Sequence, residues 1–429
     1  MKKLNFLFIS LDNLSGDLAW RISKEGHHVK YYVELEVDRD VASGFIEMVD
    51  NYEAHLDWAD VIIFDDTLGM GKIADDLRKK GKLVFGGTEY TDKLEDDRSF
   101  GQEELVKFGI NVLPYKDFTS LDTAIEYIKQ NPSAYVLKPT GNPAVQVRGI
   151  LFIGEMKNGE DVIKVLEGYK ESLADNPHTF QLQKKVFGVE LAVGAFFNGH
   201  KFIYPINVNF EHKRLFPGDL GPLTGEMGTS MFWSEPNKIF KTTLGKFETK
   251  LAEAGFIGYI DLNCIVNQDG VFPLEFTCRF GYPTISIQIE GIKNKLGEFF
   301  YNLASGQDFE LKTKPGFQLG VRLVVPPFPY DDEKTFNARS KGSLIYFASE
   351  KDKANAHIED VAIVNGDWVV AGSAGVVMTV CGTGKTIKSA QKQAYDRIKN
   401  IYIPRMYYRN DIGNRWSSDK KKLKAWGYL

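Results

Sequence analysis

The residues best placed to do chemistry fall in one stretch, Gly258 to Gly281. Two strand-like runs, Gly258–Val266 and Val271–Phe276, flank Asn267-Gln268-Asp269-Gly270, whose Asp-Gly pair is a strong hairpin signal. A three-residue loop with Gly270 in the left-handed conformation pairs Asn267 with Val271. That register sets Asp261 opposite Thr277 and Asn263 opposite Glu275, all on one face, with Leu274, Phe276 and Cys278 on the other. Two carboxylates with neutral oxygen donors suit a hard cation such as Mg²⁺ bridging nucleotide phosphates. A solvated sheet face is the alternative, and a slip of one residue dissolves the cluster.

Other segments carry weaker signals. The glycine-dense run from Gly218 to Thr229 offers consecutive backbone N–H groups to an anion, or is a plain surface loop. Cys381 to Thr386 ends like a Walker A loop but has Thr379 where that loop needs glycine, so Thr386 is read as a helix cap. His212, beside Lys213-Arg214, is read as an exposed loop histidine, with a place facing an anionic substrate as the alternative. No serine or cysteine nucleophile constellation is present.

The elements that must position these residues follow from the apolar pattern. Up to about Val112, strands (Phe6–Ser10, His28–Val33, Val61–Asp65, Leu83–Gly86) alternate with helices (Asp17–Lys24, Lys72–Lys80, Ser99–Gly109), which predicts a doubly wound parallel sheet. It is Rossmann-like without the dinucleotide fingerprint, because Ser10 to Asp17 carries a single glycine. Met1-Lys2-Lys3 and the run Leu4–Leu11 imitate a signal peptide, but Asp12 interrupts the run, so a buried first strand is expected. Residues 114–185 read as a smaller α+β unit whose loop Pro139–Gly149 is the long tip of a β-hairpin, 186–312 as a β-rich unit closed by helices, and 313–429 as a compact α+β module with a strong helix, Ile387–Ile401.

Composition excludes several classes. With 53 Lys+Arg against 57 Asp+Glu, the chain suits neither a nucleic-acid coat nor a polybasic membrane binder. Three cysteines without metal-type spacing support neither a disulfide framework nor a zinc site, which makes a reducing cytoplasm the expected setting.

The order of parts resembles the ATP-grasp ligases, and within them the phosphoribosylamine–glycine ligase (glycinamide ribonucleotide synthetase) family. The motifs are Glu211-His212-Lys213-Arg214, Gly221-Pro222-Leu223-Thr224-Gly225-Glu226-Met227-Gly228, Leu274-Glu275-Phe276-Thr277-Cys278-Arg279-Phe280-Gly281, Ala390–Tyr395 and Tyr408-Arg409-Asn410-Asp411-Ile412-Gly413. The resemblance implies a Rossmann-like domain (1–113), an ATP-grasp lid (114–185), a catalytic subdomain (186–312) and a small C-terminal α+β domain (313–429). It implies ATP and Mg²⁺, or Mn²⁺, as cofactors. Arg98, Lys138 and Arg148 stand where phosphate contacts are expected, Gln183-Lys184-Lys185-Val186 at the adenine-reading hinge, and Glu190 at the ribose hydroxyls. Asp261, Glu275 and Thr277 (in place of an asparagine) stand at the metal, and Arg279, with Lys138, near the transferred phosphoryl group. Asp12, Asp66, Asp219, Thr224, Gly225, Glu226 and Arg279 fall on the substrate side.

The implied reaction activates a carboxylate as an acyl phosphate that an amine attacks, most simply glycine and 5-phosphoribosylamine in purine biosynthesis. Departures from the family pattern cluster on the acceptor side: Asp12-Asn13-Leu14-Ser15-Gly16 stands for its Gly-Gly-Arg-Glu-His and Phe64-Asp65-Asp66 for its Gly-Pro-Glu, and Asp12, Asp65 and Asp66 disfavour a phosphate if they point into the cleft. The same chemistry on a different amine and a catalytically silent nucleotide-binding protein are the rivals. Small-molecule partners are expected, with no nucleic acid or membrane, and a monomer or weak homodimer.

Overall fold

Apolar strands alternating with amphipathic helices build the first part of the chain. The structure is a computed structural model describing residues 2–140, 151–172 and 179–429. Strands β1 (Asn5–Ser10), β2 (His28–Val33), β3 (Glu47–Val49), β4 (Val61–Phe64) and β5 (Val84–Phe85) form a parallel sheet in the order β3-β2-β1-β4-β5. Both faces are covered, as an all-parallel sheet requires. Phe6, Phe8 and Ile63 pack with Leu18, Ala19 and Ile22 of α1 (Gly16–Lys24). Leu7, Ile9, Ile62 and Phe64 pack with Met70, Ala74 and Leu77 of α2 (Met70–Lys79). The Leu4–Leu11 run is therefore a buried first strand. Two further helices, α3 (Glu89–Asp96) and α4 (Arg98–Lys107), are capped by Thr88 and Asp97 and lead out of this sheet.

The smaller unit is a four-stranded antiparallel sheet, β6-β9-β7-β8, made of β6 (Tyr115–Phe118), β7 (Tyr135–Pro139), β8 (Phe152–Ile153) and β9 (Phe180–Lys184). Leu137 and Leu182 face α5 (Leu121–Gln130) and α6 (Glu160–Ser172). The alternate residues Val136, Lys138 and Gln183 therefore point the other way. β7 and β8 pair as the expected hairpin, but residues 141–150 of its tip, Arg148 among them, lie outside the described residues.

The remaining strands are β10 (Val189–Asn198), β11 (Phe202–Glu211), β12 (Arg214–Phe216), β13 (Leu220–Leu223), β14 (Gly228–Ser234), β15 (Ile257–Asn267), β16 (Gly270–Thr277), β17 (Phe317–Val324), β18 (Tyr346–Phe347), β19 (Ala356–Ile358), β20 (Val361–Val364), β21 (Asp367–Val370), β22 (Val376–Gly384) and β23 (Ile401–Tyr402). Eight of them make one antiparallel sheet, β16-β15-β10-β11-β14-β17-β22-β19. The expected C-terminal module is thus no separate sheet: β14 pairs with β17, so the sheet runs on across the boundary drawn at residue 312. One face buries Leu191, Val193, Leu262, Cys264 and Phe276 in the largest core cluster. The other face carries Asn207, Asn209, Glu211, Asp261, Asn263 and Glu275 (by strand alternation).

The β15–β16 register is the one the chemistry needs, reached by a different path. Asn267 pairs with Gly270 across a two-residue turn rather than with Val271. A bulge between Asn263 and Cys264 then restores Asn263 opposite Glu275 and Asp261 opposite Thr277.

Candidate active site

A cleft of about 400 Å³ opens between the four-stranded and eight-stranded sheets. β7 and β9 contribute Lys138 and Gln183, the chain after β9 contributes Lys184, Lys185 and Val186, and β10 contributes Glu190. Arg98, Asp219, Glu211, Lys213, Glu275 and Arg415 complete the polar wall, while Leu113, Leu151, Ile153 and Ile265 supply apolar surface. Arg98, Lys138, the hinge residues, Glu190 and Glu275, all selected from the sequence, are thereby brought to one cavity.

Lys138 is buried on β7 and its Nζ donates to Gln183 Oε1 at 2.8 Å. Burial, and then the Arg98 charge, lowers its pKa to about 7 against the pull of Glu275. Arg98, at the start of α4, reaches Glu275 Oε2 at 3.4 Å and the Leu274 carbonyl at 3.4 Å. Glu275 has 43% of its side chain exposed to the cleft, and Lys213, then Arg98 and Lys138, hold its carboxyl well below the usual carboxylate range.

Lys213 is the residue the sequence reading undervalued. Its Nζ lies 3.2 Å from Glu190, 3.4 Å from Glu211 and 3.5 Å from Glu275, and these carboxylates outweigh its burial and raise its pKa. Thr224 fixes it from behind, with both N–H and hydroxyl donating to the Lys213 carbonyl at 2.8 Å. The only sequence signal was its place in Glu211-His212-Lys213-Arg214. His212 itself is buried rather than exposed, and burial with Arg415 and Arg409 nearby lowers its pKa to about 4. A neutral, enclosed imidazole does not serve an anionic substrate.

The expected metal group forms only in part. Asp261 and Thr277 face each other, and Asp261 Oδ2 lies 3.1 Å from the Tyr259 hydroxyl, which also meets Asn207 Oδ1 at 2.9 Å. Gly194 makes room for this: a Cβ there would stand 2.2 Å from the Tyr259 oxygen. Burial, then the Glu211 charge, raises the Asp261 pKa to about 8. Among the described residues no group of three or more His, Cys, Asp or Glu is arranged to hold a metal ion, and the Lys213 ammonium sits among the carboxylates instead. The donor set nevertheless fits a hard cation. Asn263 Oδ1 is buried without a partner while its Nδ2 donates to Glu211 Oε2 at 3.0 Å, and Glu275 is open beside it.

The substrate-side residues divide. Arg279 pairs with Glu95 at 3.1 Å and Asp66 at 3.6 Å, which raise its pKa despite burial, and it lines a second cavity of about 220 Å³ with Arg98, Glu275 and Thr277. Glu226 is buried with Oε1 unpartnered, and burial followed by the Glu211 charge raises its pKa well above the usual range. Gly225 is exposed and has no neighbouring side chain or backbone near its Cβ direction. The first half of the glycine-dense run closes the β12–β13 hairpin, and Gly228 and Thr229 begin β14. Asp219 is pinned by the buried Arg409, which also grips Asp411. Arg415 donates to the carbonyls of Glu190 and Glu211, a positioning role the sequence did not reveal. Thr386 caps the helix Ile387–Ile398 in a reciprocal pair with Ser389, as expected.

Comparisons with known proteins agree with this geometry. The family model for the phosphoribosylglycinamide synthetase ATP-grasp (A) domain matches residues 96–285, and that for the C domain of the same synthetase matches residues 327–415. Fold and cleft thus define an ATP-grasp protein. The chain belongs to the phosphoribosylglycinamide synthetase family, whose two domain models together span nearly two thirds of it. Phosphoribosylamine–glycine ligase of Streptococcus pneumoniae is 28% identical over 367 residues, covering 82% of each chain. That of Streptococcus pyogenes is 27% identical over 379 residues, covering 85% of each. The crystal structure of the Thermotoga maritima phosphoribosylamine–glycine ligase superposes with TM-score 0.71 at 21% identity, covering 96% of this chain and all of that one. The biotin carboxylase domain of Hydrogenobacter thermophilus 2-oxoglutarate carboxylase, crystallised with MgADP, shares the fold at TM-score 0.66 and 12% identity.

Proposed function

We propose that the protein is an ATP-dependent ligase that joins glycine to 5-phosphoribosylamine through glycyl phosphate, releasing ADP and phosphate. Family membership and the names of the curated relatives support the substrates. The observation that carries the chemistry is the convergence on one cleft of Lys138, Glu190 and Glu275 from two sheets, Arg98 from the start of α4 and Lys213 from the turn after β11.

A carboxylate resists attack because oxide would have to leave. In the first step a glycine carboxylate oxygen bonds to the γ-phosphorus and the bond to ADP breaks. In the second, the amine nitrogen bonds to the acyl carbon, phosphate departs with that oxygen, and the nitrogen gives up a proton. Lys138 and Arg98 offset phosphate charge, with Gln183 holding Lys138 in place. Glu190 takes the ribose hydroxyls, the Gln183–Val186 segment reads adenine, and Arg279 stands by the transferred phosphoryl group. Glu275, Asn263 and Asp261 would hold Mg²⁺, which would supply charge neutralisation to the phosphates. Thr277 supports Asp261 rather than replacing a ligand.

We retain the division at residues 113, 185 and 312 as part of this reading, with 114–185 as the lid that excludes water from the acyl phosphate. The test is phosphate release from ATP·Mg²⁺ with glycine and freshly made phosphoribosylamine. Release requiring both, and reduced at least about 100-fold by Glu275→Gln, supports the reading; nucleotide binding without amine-dependent release contradicts it.

A further inference from the structure

The two cations that meet the phosphates come from different pieces of the chain. Lys138 stands on β7 of the four-stranded sheet, and Arg98 opens α4 outside it. Their spacing is fixed by a pair of buried glutamines to which the phosphoryl chemistry gives no part.

Gln181 lies on β9, opposite Lys138 of β7 on one side and Asp117 of β6 on the other. The three side chains therefore form one row on the cleft face of the smaller sheet. Gln102 lies on α4, one turn after Arg98, and lines the smaller cavity with Arg98, Glu275 and Thr277. Both glutamines are buried. Gln102 Nε2 donates to Gln181 Oε1 at 3.1 Å, and Gln181 Nε2 donates to Gln102 Oε1 at 3.0 Å. The second N–H of Gln181 donates to Asp117 Oδ1 at 3.0 Å. A carboxylate only accepts, so Asp117 settles which way round the Gln181 amide lies. Asp117 Oδ2 accepts in turn from the Ser99 hydroxyl of α4 at 3.4 Å.

Helix α4 thereby ties the two sheets together. From its first turn Arg98 reaches Glu275 and the Leu274 carbonyl of β16, and from its second Gln102 reaches β9. A reciprocal amide pair accepts one relative placement. Its hydrogen bonds fail beyond about 3.5 Å, so a slide of about 0.5 Å opens both and leaves two buried amides unpaired. An apolar contact of the same size would resist parting but not sliding, because burial has no direction.

We propose that Gln102 and Gln181 are positioning residues for phosphoryl transfer: their amide pair locks the smaller sheet onto α4 and so sets Lys138 and Arg98 at the separation the transferring phosphoryl group requires. The proposal rests on the ligase reading above and adds to it the part that aligns the two cations. A misplacement of about 1 Å in such groups can cost about 100-fold in rate. The hinge residues and Glu190, which take the nucleoside, are not part of the pair, so the loss falls on kcat rather than on KM for ATP.

The experiment measures kcat, KM for ATP and melting temperature in Gln102→Met, Gln181→Met and the double variant, since methionine copies the length of glutamine without its hydrogen bonds. Each single variant deprives the remaining amide of its mate and is expected to melt below wild type. The double variant removes both amides and is expected to melt within about 3 °C of wild type. Its kcat is nevertheless expected to stay at least about 30-fold below wild type, with KM for ATP within about threefold. Recovery of kcat together with stability overturns the proposal, and so does a loss confined to KM for ATP. Should the double variant not fold, Asp117→Ala decides instead. Asp117 is exposed, and its removal lets the Gln181 amide turn over and ends the Ser99 contact. A fall in kcat of at least about fivefold is then expected, and an unchanged kcat overturns the proposal. Wild-type protein that binds ATP but turns over no amine removes the ligase reading, and this proposal with it.

Discussion

The Lys213 ammonium lies 3.5 Å from Glu275 Oε1, so a side-chain cation already occupies part of the space that a divalent ion bound to Glu275 would need. The same ammonium touches Glu190 and Glu211, which makes it a placeholder that nucleotide and metal must redirect towards phosphate. Replacing it should therefore separate two effects. Lys213→Met is expected to bind Mg²⁺ more tightly without nucleotide, by about tenfold, because three carboxylates lose their counter-charge. The same variant should lose at least about 100-fold in kcat. Calorimetric Mg²⁺ titration beside steady-state kinetics checks both; weaker metal binding in the variant would refute the placeholder role.

Lys138 makes nucleotide binding a proton-linked event. Its pKa of about 7 in the free protein, lowered by burial, leaves it mostly neutral at pH 8. A bound triphosphate favours the charged form and restores the ordinary value near 10. ATP binding at pH 8 should thus take up close to one proton, falling towards none below pH 6. Calorimetry in buffers of different ionisation enthalpy measures this, and Lys138→Met should abolish the uptake.

The junction between α1 and the C-terminal strands predicts acid sensitivity. Asp17 Oδ2 lies 2.7 Å from Arg21 Nε and 2.8 Å from His357 Nδ1, and Asp17 Oδ1 accepts from Ile358 N–H at 3.2 Å. Burial opposes ionisation, but Arg21 and His357 outweigh it and lower the Asp17 pKa to about 2. A carboxyl depressed in the folded state contributes stability that is fully present above its unfolded value, near 4, and lost as pH falls towards 2. The contribution is about 2 kcal/mol at 1.36 kcal/mol per pH unit. Denaturant unfolding of wild type and Asp17→Asn between pH 6 and pH 2 should show the gap narrowing by about that amount; a gap constant with pH would contradict the assignment.

Much of this site was legible because period-two alternation is strict. Once Asp261 and Glu275 were placed on flanking strands, the shared face followed from counting. The count succeeded through two compensating irregularities, a turn one residue shorter than expected and a bulge beside Asn263. Lys213 was not legible, since its role depends on Glu190, Glu211 and Glu275 arriving from β10, β11 and β16, which no local pattern records. His212 was misread for the same reason: Arg409 and Arg415, about 200 residues on, close over it. The continuation of the sheet from β14 into β17 escaped the reading because strand pairing across about 80 residues leaves no trace in composition.

The most direct test follows the oxygen. Glycine labelled with ¹⁸O in its carboxylate is supplied with ATP·Mg²⁺ and phosphoribosylamine, and the released phosphate is analysed by mass. Activation through glycyl phosphate predicts one ¹⁸O in each phosphate formed, with the other label retained in the amide. Turnover that yields unlabelled phosphate would contradict the account.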